Sequence, residues 1–480
     1  TADMGATVVG AELGVVSGSL ALLGGRGQIG QSGFGLDGTK IHVNAATGNL
    51  NIQRLDEALQ GLGTAASALR TYNSLGSWDG DNADNWQLGL VQRVVLASGT
   101  LGAAGSTLRR TAADGSEFTY SWNTTAAAYV AYEGGAEQDR ITFTGSGATL
   151  AYQWRDGASQ AQQRYDSLGR LVQVQDRAGN RHAYTYTGSL LTQVRQENVA
   201  GTSSKNETLT LVYDTAAGRT SNLLRIERRE DYEADTGDTL SLLSTRVYYA
   251  YDASNRLSSV TVDLSPGNNS TADNHTLVTL YTYDGSSKRV ASITQMTGAV
   301  YASATDRANP VKFAGYIAFT YYAGQAGGAA GQLKSVVQST VAGQTSTTSY
   351  TYAAGSTTVT DAVGGQTVLS YDAAKRLTRI RLPDTRETSF VYVSASDDHL
   401  ASVTDAAGRT TSFGYDALGN RVLERDAAGN TVTRTYSSTG TLSQLLTETR
   451  YTVADPDGAG ALLPSGALTR RQVLDGLGRV

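Results

Sequence analysis

Polar and apolar residues alternate along most of this chain, in short runs set apart by turn-forming residues. Lys40-Ile-His-Val-Asn44 and Asn49-Leu-Asn-Ile-Gln53 alternate, and Ser116 to Trp122, Ala128 to Tyr132 and Arg140 to Thr144 continue in the same style. A period of two marks strands with one face buried. Trp86 to Ser98 predicts a longer pair of strands. Arg54 to Leu69 departs from the pattern: Leu55, Leu59 and Leu62 recur at helical spacing, weakened by Gly61 and Gly63. Thr1 to about Gly35 is rich in Gly and small apolar residues and predicts an irregular lead-in. Its most apolar run, Leu13 to Leu23, is interrupted by Gly and Ser and falls short of the about 20 apolar residues of a membrane-spanning helix.

The later part of the chain repeats itself. Tyr415 to Tyr436 reads YDALGNRVLERDAAGNTVTRTY, with turns at Gly419-Asn420 and at Asp426-Ala-Ala-Gly429-Asn430. Asp, Gly and Asn suit tight turns, and the Thr, Val and Tyr between them suit a pleated surface. This is a β-hairpin. Tyr165 to Tyr186 copies it closely, with Tyr165-Asp166, Gly169-Arg170, Asp176 and Gly179-Asn180. Looser copies start at Tyr213-Asp214 (with Gly218-Arg219), Tyr251-Asp252, Tyr283-Asp284 and Tyr371-Asp372, and Asp405 to Arg409 is half of another. Tyr371, Tyr392, Tyr415 and Tyr436 are spaced by 21, 23 and 21 residues. A fixed period of this size signals a repeat architecture. Each hairpin extends a sheet by about 10 Å, and open sheets beyond about 10 strands curl. A ribbon of this length must therefore coil, and a face rich in Tyr, Thr and Arg predicts a wet interior. Irregular insertions are expected at 264–275, 305–312 and 322–331, the last a Gly-rich mobile surface loop, and 437–467 interrupts the pattern.

Composition narrows the reading. The chain has 54 Gly and 26 Tyr against 7 Phe and 5 Pro, which suits turns and half-polar strands. The absence of Cys excludes disulfides, thiolate metal sites and cysteine nucleophiles. The net charge of −5, with both signs scattered, makes no case for nucleic acid.

The Tyr-Asp, the Gly-Arg-Leu at 169–171 and the Asp-x-x-Gly that follows resemble the YD-repeat, or Rhs, family. The resemblance runs from about Gln153 to the end, strongest at Tyr165 and Tyr415 and weaker between Tyr283 and Tyr371. Val43-Asn44, Thr47-Gly48-Asn49-Leu50 and Arg70-Thr71-Tyr72-Asn73-Ser74 are similar to a region that precedes the repeats in large bacterial members. The resemblance implies an all-β fold, a long antiparallel sheet of tandem hairpins spiralling into a hollow shell. It divides the chain into a lead-in over 1–35, a β-strand region over 36–150 and a repeat array over 151–480, cut short inside Leu474-Asp-Gly-Leu-Gly-Arg479. It implies a shell segment of a secreted or surface bacterial protein that encloses and delivers a toxin or effector encoded downstream in the same longer chain. Secretion machinery and self-association are further expected partners. An extracellular adhesin or filament component, binding glycans or neighbouring cells, is the alternative.

Candidate chemistry is sparse. The repeated positions Tyr165, Asp166, Gly169, Arg170, Tyr213, Asp214, Tyr251, Asp252, Tyr283, Asp284, Tyr371, Asp372, Tyr415, Asp416, Gly419, Asp426 and Gly429 read as structural, with Asp accepting turn N–H groups and Tyr packing on the next hairpin. Asp79, Asp81 and Asp84 in DGDNADNW have some calcium-loop character, but Ala83 takes one ligand position and no Glu closes the loop, so a solvated turn is expected. His42, His182, His275 and His399 lack metal-ligand spacing. No nucleophile elbow, P-loop or paired-carboxylate motif stands out, and nothing matches the aspartate-dependent self-cleavage segment of family members. No catalytic residue, cofactor or enzymatic activity is assigned.

Overall fold

The computed structural model describes residues 4–24, 30–60, 65–131, 139–197, 207–215, 221–233, 239–268, 270–309, 315–339, 344–438, 443–455, 457 and 462–480. Leu62, Gly61 and Gly63, the Gly218-Arg219 pair and part of the 305–312 insertion lie outside them.

Among the described residues, two sheets make up the fold. The first holds Ala6–Val8, Gly33–Phe34, Thr39–Asn44, Leu50–Leu59, Ala66–Asn73 and Trp86–Leu88. The second begins at Arg93–Ser98 and runs, among the described residues, through 29 strands to Ser465–Arg471, each antiparallel to its chain neighbours. The predicted pair over Trp86 to Ser98 is thus divided between the two sheets. Among the described residues no helix is long and apolar enough to cross a membrane, which says nothing about strands.

Local expectations fail in three places. The lead-in is ordered where described: Ala6–Val8 pairs in parallel with His42–Asn44, and Ser17–Gly24 is a helix. The helical spacing over 54–69 belongs to a strand pair in which Arg54 faces Arg70 and Leu59 faces Ala66. Leu59 is fully buried there while Leu55 is half exposed, so the two do not share one buried helical face. The Gly-rich loop at 322–331 is pinned, not free. The Tyr322 hydroxyl donates to the Tyr350 carbonyl at 2.7 Å, and the Tyr352 N–H donates to the Gly327 carbonyl at 2.7 Å. Gly328 lies flat on the Tyr322 ring, where a Cβ would stand 2.3 Å from a ring carbon.

The large sheet winds back onto itself. Arg93 bridges to Arg170 across the first seam, through Val94 N–H to Gly169 O at 2.8 Å and Leu171 N–H to Gln92 O at 3.1 Å. Gly169 has a φ of 76°, and a Cβ there would stand 1.9 Å from the Val94 oxygen, so only glycine fits. The far end returns as well. Arg140 donates to Ser443 at 2.9 Å, Gln444 donates to the Gly157 carbonyl at 2.9 Å, and Arg177 donates to the Gly478 carbonyl at 3.1 Å. Strand twist of one hand makes a sheet of this length coil, and these contacts fasten successive turns.

The expected wet interior is replaced over most of the array by an apolar one. Leu171, Val194, Leu209, Ile226, Val260, Ile293, Leu369 and Phe390 are buried in one cluster with Ile41, Val43, Leu50 and Ile52 of the first sheet. Period-two alternation supplies an apolar residue at many inward positions, and the first sheet covers that face. Beyond Phe413 the same face turns charged. Register places Glu424 opposite Phe413 and Val432 opposite both Glu424 and Arg450. Arg434 there sits 3.0 Å from Glu448 and 3.6 Å from Glu424, all partly exposed.

Most repeat turns place their fourth residue at positive φ, which favours glycine. Thr385, at φ 70° in the turn from Leu382 to Arg386, is a β-branched exception. Thr385→Gly is expected to raise stability by about 1 kcal/mol, read as an increase in the urea midpoint.

Candidate functional site

The site built by this sequence is a clamp repeated along one rim of the coil. Each repeat Tyr lies at a β-bulge at or near the end of its strand, as at Tyr165, Tyr186, Tyr213, Tyr251, Tyr283, Tyr371, Tyr392, Tyr415 and Tyr436. At Tyr165, Tyr213, Tyr251, Tyr283, Tyr371 and Tyr415 the next residue is Asp. Asp372 Oδ1 accepts the Arg376 N–H at 2.9 Å, and Oδ2 accepts the Arg376 Nε at 2.8 Å. Asp166 with Arg170 and Asp252 with Arg256 do the same, while Asp284 and Arg289 pair across a longer turn at 3.2 Å. At Asp416 and Asp426 the fourth-following residue is Asn420 or Asn430, whose amide donates to the carboxylate at 2.9 or 2.7 Å. Gly419 and Gly429 supply the positive φ of those turns.

The arginine also reaches the next hairpin. Arg170, Arg256 and Arg376 lie over the rings of Tyr186, Tyr283 and Tyr392 at 4.5, 4.6 and 4.4 Å. Those hydroxyls donate back to the carbonyls of Leu171, Leu257 and Leu377 at 2.8, 2.7 and 2.8 Å. One turn thus grips the following Tyr from two directions, by cation–π contact and by hydrogen bond. Tyr392→Phe is expected to cost about 1 kcal/mol and Arg376→Ala about 2 kcal/mol, because Arg376 also donates to the Ser394 and Asp397 carbonyls. Urea midpoints of the two variants check the ranking.

The first sheet seats on this rim by a matching rule. At four rim positions the residue whose carbonyl the next Tyr grips has its N–H taken by the first sheet or the segments joined to it. Leu171 N–H goes to Gln92 O, Leu257 to Asp84 Oδ2 at 3.0 Å, Val290 to the Tyr72 hydroxyl at 3.0 Å, and Leu333 to Gly48 O at 3.0 Å. Successive rim positions therefore read the N-terminal segment in reverse order.

Asp79, Asp81 and Asp84 are brought together on this rim, with one oxygen of each within 4.8 Å of the others. Asp79 and Asp84 are buried, so the expected solvated turn is corrected: the loop is packed against the repeat array. Asp79 accepts the N–H groups of Asp81, Ala83 and Asn85, and Asp84 accepts those of Trp86 and Leu257. Burial, followed by the charge of Asp79, pushes Asp84 up to about 7. Burial, followed by Asp84 and Asp79, pushes Asp81 well above the carboxylate range. The trio could offer oxygens to a cation, but the backbone donors already engage Asp79 and Asp84.

The strongest electrostatic site was missed by sequence reasoning. Arg70 Nε lies 2.8 Å from Asp56, which Arg54 also contacts at 2.9 Å, and Arg54 reaches Asp37 at 2.9 Å. The Tyr249 hydroxyl donates to Asp56 at 2.7 Å, and Arg70 donates to the Tyr281 hydroxyl. Arg70 also stacks on Trp86 at 5.0 Å. Burial pushes the Asp56 carboxyl up, and the nearby Arg70 and Arg54 overcome it, leaving it below its ordinary value. The only signal in the sequence was charge at inward positions of alternating strands. The histidines stay apart: His42 is in the first sheet and His182 in the second, both buried.

Against this geometry, a sequence model of the RHS repeat matches residues 396–431. That span holds the Asp405 and Asp426 turns and the Tyr415-Asp416 clamp. This stretch of the chain carries an RHS repeat. No curated protein matches its sequence. Similar solved structures include TcdB2-TccC3 without its hypervariable C-terminal region, at 12% identity over 91% of this chain and 25% of that one, with a TM-score of 0.34. A Tc holotoxin pore from Photorhabdus luminescens is similar at 11% identity over 92% of this chain and 25% of that one, with a TM-score of 0.19. A porin-like protein from Bacteroides uniformis is similar at 12% identity over 60% of this chain and 93% of that one, with a TM-score of 0.20. The chain thus spans about a quarter of the length of the first of these structures. The clamp at Tyr415-Asp416 inside the matched span recurs outside it, as at Asp166 and Arg170 and at Asp372 and Arg376.

Proposed function

We propose that this chain is a wall segment of a secreted or surface bacterial protein, and that the wall encloses and delivers an effector encoded downstream. The protein is a structural shell segment, and its RHS repeats act as scaffold rather than catalyst. The observation that carries the reading is the clamp, which fastens each hairpin to the next along a sheet that winds back on itself. A coiled wall separates what it surrounds from proteases and from premature contact. The inward face supports a division of labour: its apolar stretch holds the first sheet, and its charged stretch from Glu424 to Arg450 is suited to a hydrated surface that does not grip a passing chain.

The test uses the full-length gene product under limited proteolysis. The region downstream of the repeats is expected to survive at protease levels that digest it rapidly once the wall is unfolded in urea. Equal digestion with the wall folded overturns the container reading. Assembly of the purified protein into filaments, with no protected downstream region, supports the adhesin or filament alternative instead.

A further inference from the structure

Arg93 opens the large sheet at the first seam, and among the described residues it has no counter-ion. Its guanidinium lies 4.1 Å from the centre of the Trp78 ring. Among the described residues it makes no ion pair and no side-chain hydrogen bond, and its Nε is buried without a partner. Burial weakens its hold on the proton, and the more distant Glu117 offsets this only in part. Charges withdrawn from water are ordinarily paired, so an unpaired guanidinium facing a cavity is a place where an anion gains more than it would on the open surface.

Such a cavity is present. It measures about 370 Å³ and is lined by Arg93, Trp78, Asp79, Asp81, Arg170 and Ser189, among others. That is within the size range of small-molecule sites, about 300–1,000 Å³. Arg170 is already committed to Asp166 and to the Gly188 carbonyl, which leaves Arg93 as the available cation. Asp79 has its oxygens turned to backbone N–H groups. Asp81 also stands in the wall, its carboxyl pushed well above the carboxylate range by burial and then by Asp84 and Asp79. A single available guanidinium beside Asp79 favours a monoanion over a dianion, because a second negative charge would meet that carboxylate. A planar carboxylate also matches the guanidinium fork.

We propose that this cavity binds a small hydroxylated carboxylate of the uronic-acid class. Its carboxylate sits on Arg93, and its hydroxyl groups face Ser189 and Asp81. The site lies in the wall itself and does not depend on what the wall encloses.

Calorimetric titration of the intact protein tests it with glucuronate, glucose and inorganic phosphate as probes. Glucuronate is expected to bind saturably, at least tenfold more tightly than glucose or phosphate. Arg93→Gln is expected to weaken glucuronate at least tenfold. Leu168 lines the cavity, is 70% exposed and belongs to no core, so Leu168→Asp keeps the fold and places a negative charge at the cavity. It is expected to weaken glucuronate at least fivefold while leaving the thermal midpoint unchanged. No saturable glucuronate binding, equal binding of glucose or phosphate, or unchanged affinity in Leu168→Asp overturns the proposal.

Discussion

Arg70→Met is expected to lower the stability of this protein by about 3–5 kcal/mol, the largest effect of any single substitution considered. Arg70 is 2% exposed and Asp56 4%, so removing the guanidinium strands a buried carboxylate. Arg54 remains beside Asp56, but the Tyr281 hydroxyl loses its donor. The damage reaches across the two sheets, because Asp56 and Arg70 belong to the first and Tyr249 and Tyr281 to the second. The double variant Arg70→Met/Asp56→Leu is expected to recover about half of the loss, since an apolar pair of similar volume strands no charge. Urea midpoints of the single and double variants decide this. A single variant within about 1 kcal/mol of the parent would mean that the node does not join the sheets.

The second large effect is on acid stability. Burial holds His42 and His182 down to about 4, Lys40 adding to the effect at His42, and neither ring nitrogen of His182 has a partner among the described residues. Both groups stay neutral in the folded chain when the unfolded chain takes up protons. Their stabilising contribution is therefore complete above about pH 6.5 and is lost as pH falls toward 4. Asp84, raised to about 7, and Asp139, raised by burial to about 6, act with the opposite sign, losing stability as pH rises through those values. A difference between two proteins cancels the carboxylates. His182→Leu is expected to gain on the parent by about 3 kcal/mol between pH 7 and pH 4. Parallel pH–stability curves for the two proteins would show that His182 is not held neutral.

The repeat clamp was legible in the chain because its chemistry is local. An Asp at one position, a turn glycine three residues on and an Arg one further on fix a turn by themselves, as at Asp166, Gly169 and Arg170. The bulge beside each Tyr was not legible, since it arises from register between strands. The covering of the apolar face was also hidden. Nothing near Leu257 in sequence announces that its N–H belongs to Asp84, 173 residues away. The same distance effect turned the Asp79–Asp84 loop from an expected solvated turn into a buried one. The 54–69 stretch misled for a different reason: three leucines at helical spacing carry less weight than two strands that pair along their length from Asn51 to Leu59.

A container requires the wall to wind back onto itself, and the Arg93–Arg170 bridge tests this most directly. The two residues face each other across the seam, flanked by hydrogen bonds on both sides. Facing Cα atoms in such a pair lie about 4.5 Å apart, within disulfide reach. The chain has no cysteine of its own, so an engineered pair has no competitor. Arg93→Cys/Arg170→Cys is expected to form an intramolecular disulfide under mild oxidation, with no free thiol left and a faster-migrating band on a non-reducing gel. Two thiols that stay free in the folded protein would contradict the coil.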